Sequence, residues 1–405
     1  MAVSLLSNEV SDLCIGKPAL RGISVVSATV GDALSALKRF GETYISVWSC
    51  DHSQRRRKAI TNGEDPCKCI SKICMVDIVC FLCKEENLLN LASALEAPVS
   101  VLLPKASGIV RHLEPNASLL DAINLMLEGA QNIVIPLPRR KKFVQKPSLE
   151  STLHNDREYC WLTQEDIIRY FLNSIGVIGS TSNHPINSLN IIDNSDILAI
   201  HYDEPATLAL PFIAQSHITQ TSVAAVDDYG KLVGDISPFA LNSCDETVVA
   251  AIATLSVDDL MAYVDCGKPP KDLVQVVKKR LEERNMGAFV ELMEDDWGIS
   301  SSCSSDDEDS VSSGRSGRSG GYYARVVSRS EAIVCYPWSS LMAVIIQALA
   351  RRVSYVWVVD EDGTLAGIVT FARILKVFQE RLRSMTEAEN PSFNMLASAQ
   401  GNNVF

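Results

Sequence analysis

Thr163 and Asp166 stand three residues apart, hydroxyl then acid, at the start of the amphipathic run QEDIIRYFL. That spacing puts both on one face of a helical first turn. Two chemistries fit it. The pair can close a capping box, with the acid complementing the helix dipole. It can also offer a carboxylate, a hydroxyl and exposed N–H groups to a ligand rich in hydroxyls and phosphate. Partial copies recur: Thr370 is followed three residues on by Arg373, Ser237 by Ala240, and Cys74 by Asp77.

Other reactive side chains give less. Cys67, Cys69, Cys74, Cys80 and Cys83 crowd into one stretch, with C-x-C and a single C-x-x-C. A zinc reading would need a second pair or a nearby histidine. The stretch CISKICMVDIVCFLC is apolar, so its cysteines read as small buried hydrophobes and no metal site is assigned. The six histidines form no H-E-x-x-H and no P-loop pattern is present, so nothing points to an enzyme. Basic clusters at Arg55-Arg56-Arg57-Lys58 and Arg139-Arg140-Lys141-Lys142 follow two of the strands below. They read as solvated connections; without interleaved aromatics, a nucleic-acid role is disfavoured.

These residues must be positioned by a repeated element. Four short apolar runs read as buried strands: Tyr44 to Trp48, Asn132 to Pro136, Thr221 to Asp227 and Tyr355 to Asp360. The first three begin about 90 residues apart, and the last comes about 130 after the third. An amphipathic helix precedes each, as with Ala33, Leu34, Ala36 and Leu37, or Leu341, Val344, Ile345, Ala348 and Leu349. A second strand and a helix follow, with turn signals at Tyr229-Gly230 and Asp362-Gly363.

The pattern strand–helix–strand–turn–strand–helix, ending in G-x-h-[TS]-x-x-[DR] with h apolar, resembles the cystathionine-β-synthase (CBS) repeat. Gly367-Ile368-Val369-Thr370-Phe371-Ala372-Arg373 is the clearest copy. Trp161 to Asp166, Gly234 to Ala240 and Ile70 to Asp77 are the others. The resemblance implies an α/β (α+β) fold of tandem CBS repeats paired into two Bateman modules. The repeats are expected over 10–90, 97–178, 184–264 and 326–385, with an insert over 265–325 and a tail over 386–405. Four repeats in one chain resemble the γ regulatory subunit of AMP-activated and Snf1-type kinases, and the long inserts resemble a plant group of four-repeat proteins.

The resemblance further implies a regulatory ligand, AMP, ADP or ATP, in clefts between repeats. Thr163 and Asp166 match the motif in full and would hold a ribose, with Ile133, Val134 and Ile135 walling the base. Thr370 matches, while Arg373 replaces the usual acid and is suited to phosphate. Ser237 keeps only the hydroxyl, and Asp77 only the acid. One complete motif of four leaves a scaffold with decayed sites as the alternative. Kinase catalytic and β subunits are the implied partners, and the modules could pair within one chain or across a homodimer.

The insert opens with KDLVQVVKKRLEERNMGAFVELMEDDW, predicted helical with Leu273, Val276, Val277 and Leu281 on one face. Its remainder is rich in serine, glycine and acids and is predicted disordered. Ser304 and Ser305, each with an acid three residues on, match an acidophilic kinase site. Composition fits this division. The 405 residues carry a net −12, and eight acids between Glu291 and Asp309 leave the repeats near −4. A fold-wide basic surface for nucleic acid is therefore absent. No apolar run reaches the length of a membrane span, and the N-terminus lacks the basic start of a secretory signal. A cytoplasmic location, extending to the nucleus, is expected.

Overall fold

The computed structural model describes residues 5–50, 67–104, 108–138, 154, 157–174, 179, 181–265, 269–298 and 332–389. The two basic clusters, Ser304 and Ser305, most of the acidic loop and the end of the tail lie outside them.

Among the described residues, four three-stranded sheets form the framework, each with its first two strands parallel and its last two antiparallel. The first repeat runs β1 (Gly22–Ser24), α1 (Val30–Phe40), β2 (Tyr44–Trp48), β3 (Cys69–Cys74), α2 (Met75–Leu82). The second runs β4 (Val110–His112), α3 (Leu119–Leu127), β5 (Asn132–Pro136), β6 (Tyr159–Thr163), α4 (Gln164–Asn173). The third runs β7 (Ala199–His201), α5 (Leu210–Thr219), β8 (Val223–Val226), β9 (Leu232–Ile236), α6 (Pro238–Leu241). Helices α7 (Val248–Thr254), α8 (Val257–Asp265), α9 (Lys271–Glu283) and α10 (Gly287–Gly298) intervene. The fourth runs β10 (Val334–Cys335), α11 (Leu341–Arg351), β11 (Tyr355–Val359), β12 (Leu365–Thr370), α12 (Phe371–Glu389).

The helices start where their chemistry tells them to. Thr29 with Asp32 and Ser118 with Asp121 close capping boxes on α1 and α3, satisfying otherwise orphaned N–H groups. The turns between the last two strands of repeats three and four need positive φ, which Gly230 (74°) and Gly363 (86°) supply without a Cβ penalty. These turns pair with each other: Leu365 N–H donates to Gly230 O at 3.0 Å and Leu232 N–H to Gly363 O at 3.1 Å.

Strand side chains alternate between two kinds of core. On the sheet faces, repeats one and two share Trp48, Cys69, Val134 and Tyr159. Repeats three and four share Ala224, Tyr355, Trp357 and Ile368. On the helical faces the partners change. One core joins repeats one and three through α1, α2, α5 and α7, and the other joins repeats two and four through α3, α4, α11 and α12. Sheet pairing makes two modules, and helix pairing closes them on each other within one chain. Segments preceding the modules dock alike. Leu5, Leu6, Val10 and Cys14 enter the core of repeats two and four, and so does Ile186.

The insert packs on its own module. Val274, Val277 and Leu281 of α9 are buried against the core that holds α7. Val276, expected on that face, is exposed: an i, i+3, i+7 stripe selects Val274 instead. Among the described residues no helix is long and apolar enough to cross a membrane.

Candidate functional site

Thr163 and Asp166 form a complete capping box on α4. Thr163 Oγ1 donates to Asp166 Oδ2 at 2.7 Å, and Thr163 N–H donates to the same oxygen at 2.7 Å. Asp166 N–H returns a bond to Thr163 Oγ1 at 3.3 Å. Lys17, from the segment ahead of β1, pairs with Asp166 Oδ2 and donates to Trp161 O at 2.7 Å. One carboxylate oxygen therefore serves three internal donors. The chain separation of Lys17 from this turn hid that partner from sequence reasoning.

Thr370 caps α12 by accepting the Arg373 N–H at 3.3 Å. The Arg373 guanidinium pairs with Asp193. Burial pushes the Asp193 carboxyl up, but bonds from Ser195 and Arg373 outweigh it and hold it below its ordinary range. Ser237 Oγ accepts the Phe239 N–H at 3.2 Å. Ile133 and Ile135 point into the helical core of repeats two and four, while Val134 points into the interface between sheets. These three strand residues thus do not share one wall.

Thr163 and Ser237 do meet, in a central cleft of about 380 Å³ to which all four repeats contribute. Tyr44 and Lys72 come from repeat one, Asn132, Thr163 and Arg169 from repeat two, His217 and Ser237 from repeat three, Arg352 and Ser354 from repeat four. Asp166, Thr370 and Arg373 are not among its lining residues. Asn132 is 3% exposed, and its Oδ1 has no hydrogen-bond partner among the described residues. A buried acceptor left unmade is costly, so this atom marks a place where a donor belongs.

The cleft is cationic. Burial lowers the Lys72 ammonium to about 8, with the acids Cys74 and Asp77 opposing the shift, and Lys72 lies 4.5 Å from the Tyr44 ring centroid. Burial alone would deprotonate His217, but Cys74 and Asp77 outweigh it and raise its imidazole to about 10. His217 Nε2 lies 3.4 Å from Asp77 Oδ1 and 3.5 Å from Cys74 Sγ, which joins repeats one and three. Arg169 is partly neutralised by Glu165 at 2.6 Å. The arrangement can bind an anion and satisfy a donor. Sequence reasoning missed Lys72, Asn132, His217 and Arg352, because each gains its meaning from residues of another repeat. Asn132 and Arg352 carried one readable signal: each stands within three residues of a strand start already identified.

Comparison with known proteins agrees with the architecture. Residues 327–380 match the model of the CBS domain. The chain is 42% identical to "CBS domain-containing protein CBSX5" of Arabidopsis thaliana over 398 residues, covering 95% of this chain and all of that protein. It is 22% identical to the Arabidopsis thaliana "SNF1-related protein kinase regulatory subunit gamma-like PV42b", covering 94% of this chain and 97% of the relative. The crystal structure of protein MJ1225 from Methanocaldococcus jannaschii superposes with a TM-score of 0.52 at 16% identity, covering 92% of this chain and 100% of that one, which supports the fold. Four sheets paired face to face, closed by shared helical cores and matched along nearly the whole chain by such a relative, place this chain in the family of CBS-domain-containing proteins.

Proposed function

We propose that the protein is a non-catalytic regulator that binds an adenosine nucleotide in the central cleft and thereby biases its affinity for a partner. The observation that carries this reading is Asn132, whose buried Oδ1 has no partner among the described residues, on the lining of a cleft where the cations Lys72, Arg169, His217 and Arg352 outnumber the acid Glu165. An amino group of a purine is a donor suited to Asn132, and a phosphate is suited to Lys72 and Arg352. The ribose role assigned to Asp166 is less suited, since Lys17 and Thr163 already occupy Oδ2. Because all four repeats line the cleft, a ligand there is linked to the relative placement of both modules. A γ-like subunit of a Snf1-type kinase, meeting catalytic and β subunits, is the setting we favour, on the strength of the relative with that name.

A specific observation favours the scaffold reading as well: the one complete motif is a satisfied capping box that needs no ligand. Calorimetric titration of the full chain with AMP, ADP, ATP and S-adenosylmethionine separates the two. Binding of at least one adenosine ligand is expected, weakened about tenfold by Arg352→Ala through loss of a charge-assisted contact. Silence toward all four ligands selects the scaffold. Binding unchanged in Arg352→Ala and Asn132→Ala removes the ligand from this cleft.

A further inference from the structure

We propose that Cys50, Cys67 and His154 bind a zinc ion at the rim between the two sheets of the first module. Their ligand atoms all lie within 4.8 Å of one another. Cys50 Sγ and His154 Nδ1 are 3.3 Å apart. A tetrahedral zinc with Zn–S of about 2.3 Å and Zn–N of about 2.0 Å would hold sulfur and nitrogen roughly 3.5 Å apart. The cluster is therefore close to coordinating geometry before any ion is placed. Two thiolates and an imidazole are the donor set that selects zinc over the harder divalent ions. Three protein ligands leave a fourth position for water.

The fold makes the meeting. Cys50 follows β2 and Cys67 precedes β3, so they are the two roots of one long connection. His154 lies near the end of the equivalent connection, ahead of β6. Packing of the two sheets brings the roots to one rim, beside the shared core of Leu20, Trp48 and Tyr159. Cys67 and His154 are each 6% exposed. The imidazole is held in a fixed plane by stacking on Trp48, with ring centroids 3.5 Å apart and planes 5° from parallel. Its backbone is pinned by reciprocal bonds with Arg157 at 2.9 and 3.0 Å. A ligand with its ring pre-oriented loses little freedom on metallation. The ion would fasten together the roots of the connections that carry Arg55–Lys58 and Arg139–Lys142.

Cys67 is the first cysteine of the crowded stretch, but its partners here are Cys50 and His154, and the sequence spacing of 50, 67 and 154 gives no metal signature. A second cluster, Cys74, Asp77 and His217, also gathers three donors. There a carboxylate stands in place of the second thiol, and the imidazole nitrogen already pairs with Asp77.

The test uses the full chain, reduced, with zinc and then cobalt as probes. Purification without chelator should give one zinc per chain by elemental mass spectrometry. Exchange to cobalt should give tetrahedral visible bands and a thiolate-to-cobalt charge-transfer band. Cys67→Ser should remove most of that charge-transfer intensity, and His154→Ala should lower zinc affinity at least tenfold; both should persist in Cys74→Ser. The wild-type cobalt spectrum is decisive even where a variant folds poorly. A folded, reduced chain that takes up neither zinc nor cobalt overturns the proposal. So does a cobalt spectrum without thiolate charge transfer, or a Cys50–Cys67 disulfide as the only product recovered with no metal uptake on reduction.

Discussion

Two side chains in the cleft have charges set by burial and neighbours, which shift their pKa values in opposite directions. Lys72 is lowered to about 8 by burial. Its cation is present below that pH and lost above it, so affinity for an anionic ligand should fall as pH rises from 7 to 9. Calorimetry across that range checks it, and Lys72→Met should abolish the step. His217 is raised to about 10: burial opposes the charge, and Cys74 and Asp77 more than restore it. A folded pKa above the unfolded value gives stability that is complete below about 6.5 and is lost as pH climbs through 10. Asp77 is shifted down: burial raises it, but His217 and Cys74 outweigh burial, so its share is lost as pH falls through its folded value. The pair should therefore be strongest between about pH 4 and 6.5. His217→Ala should cost about 3 kcal/mol at pH 6, a deficit that shrinks, down to the loss of packing, as pH climbs past 10 in urea titrations.

At the scale of elements, the glycine of the G-x-h-T motif has a packing reason. A Cβ on Gly367 would lie 2.5 Å from Ile192 Cγ2 and 2.8 Å from Asp193 O, because residues 191–193 lie directly on β12. Asp193 and Ile368 exchange backbone bonds there at 2.8 and 2.9 Å. Gly367→Ala should destabilise by about 1–3 kcal/mol through overpacking, read as a lower denaturant midpoint with an unchanged slope. The sheet interface of repeats three and four rests on Asp235, which accepts from Tyr355 Oη at 2.6 Å and Trp357 Nε1 at 3.2 Å. Asp235→Ala leaves two buried donors unpaired and should cost about 2–4 kcal/mol.

Much of this level was legible in the chain. YVWVVD, NIVIP and the two glycine turns announce strands and hairpins because their patterning is local. Thr163 and Asp166 were legible as a pair, since helical spacing is local too. What filled Asp166 was not, because Lys17 lies 149 residues away. Nor was the meeting of Cys74 and Asp77 with His217, which helix pairing between repeats one and three creates. Val276 was misplaced on α9 because its buried stripe begins at Val274.

For the whole molecule, the decisive fact is that sheet pairing and helix pairing join different repeats. Each module leaves an apolar helical face that only the other covers. Residues 181–389 expressed alone should expose the faces of α5, α7, α11 and α12 and self-associate, which sedimentation velocity would register. The same closure gathers residues from all four repeats around a single cleft. The central claim, that this cleft receives an adenosine nucleotide, is tested most directly by photolabelling the full chain with 8-azido-ATP and mapping the modified peptides. Labels expected are on peptides holding Gln131–Asn132, Thr163–Arg169 or Arg352–Tyr355, suppressed by unlabelled ATP. Labelling that unlabelled ATP does not suppress, or suppressible labelling confined to peptides outside the cleft, would contradict the account.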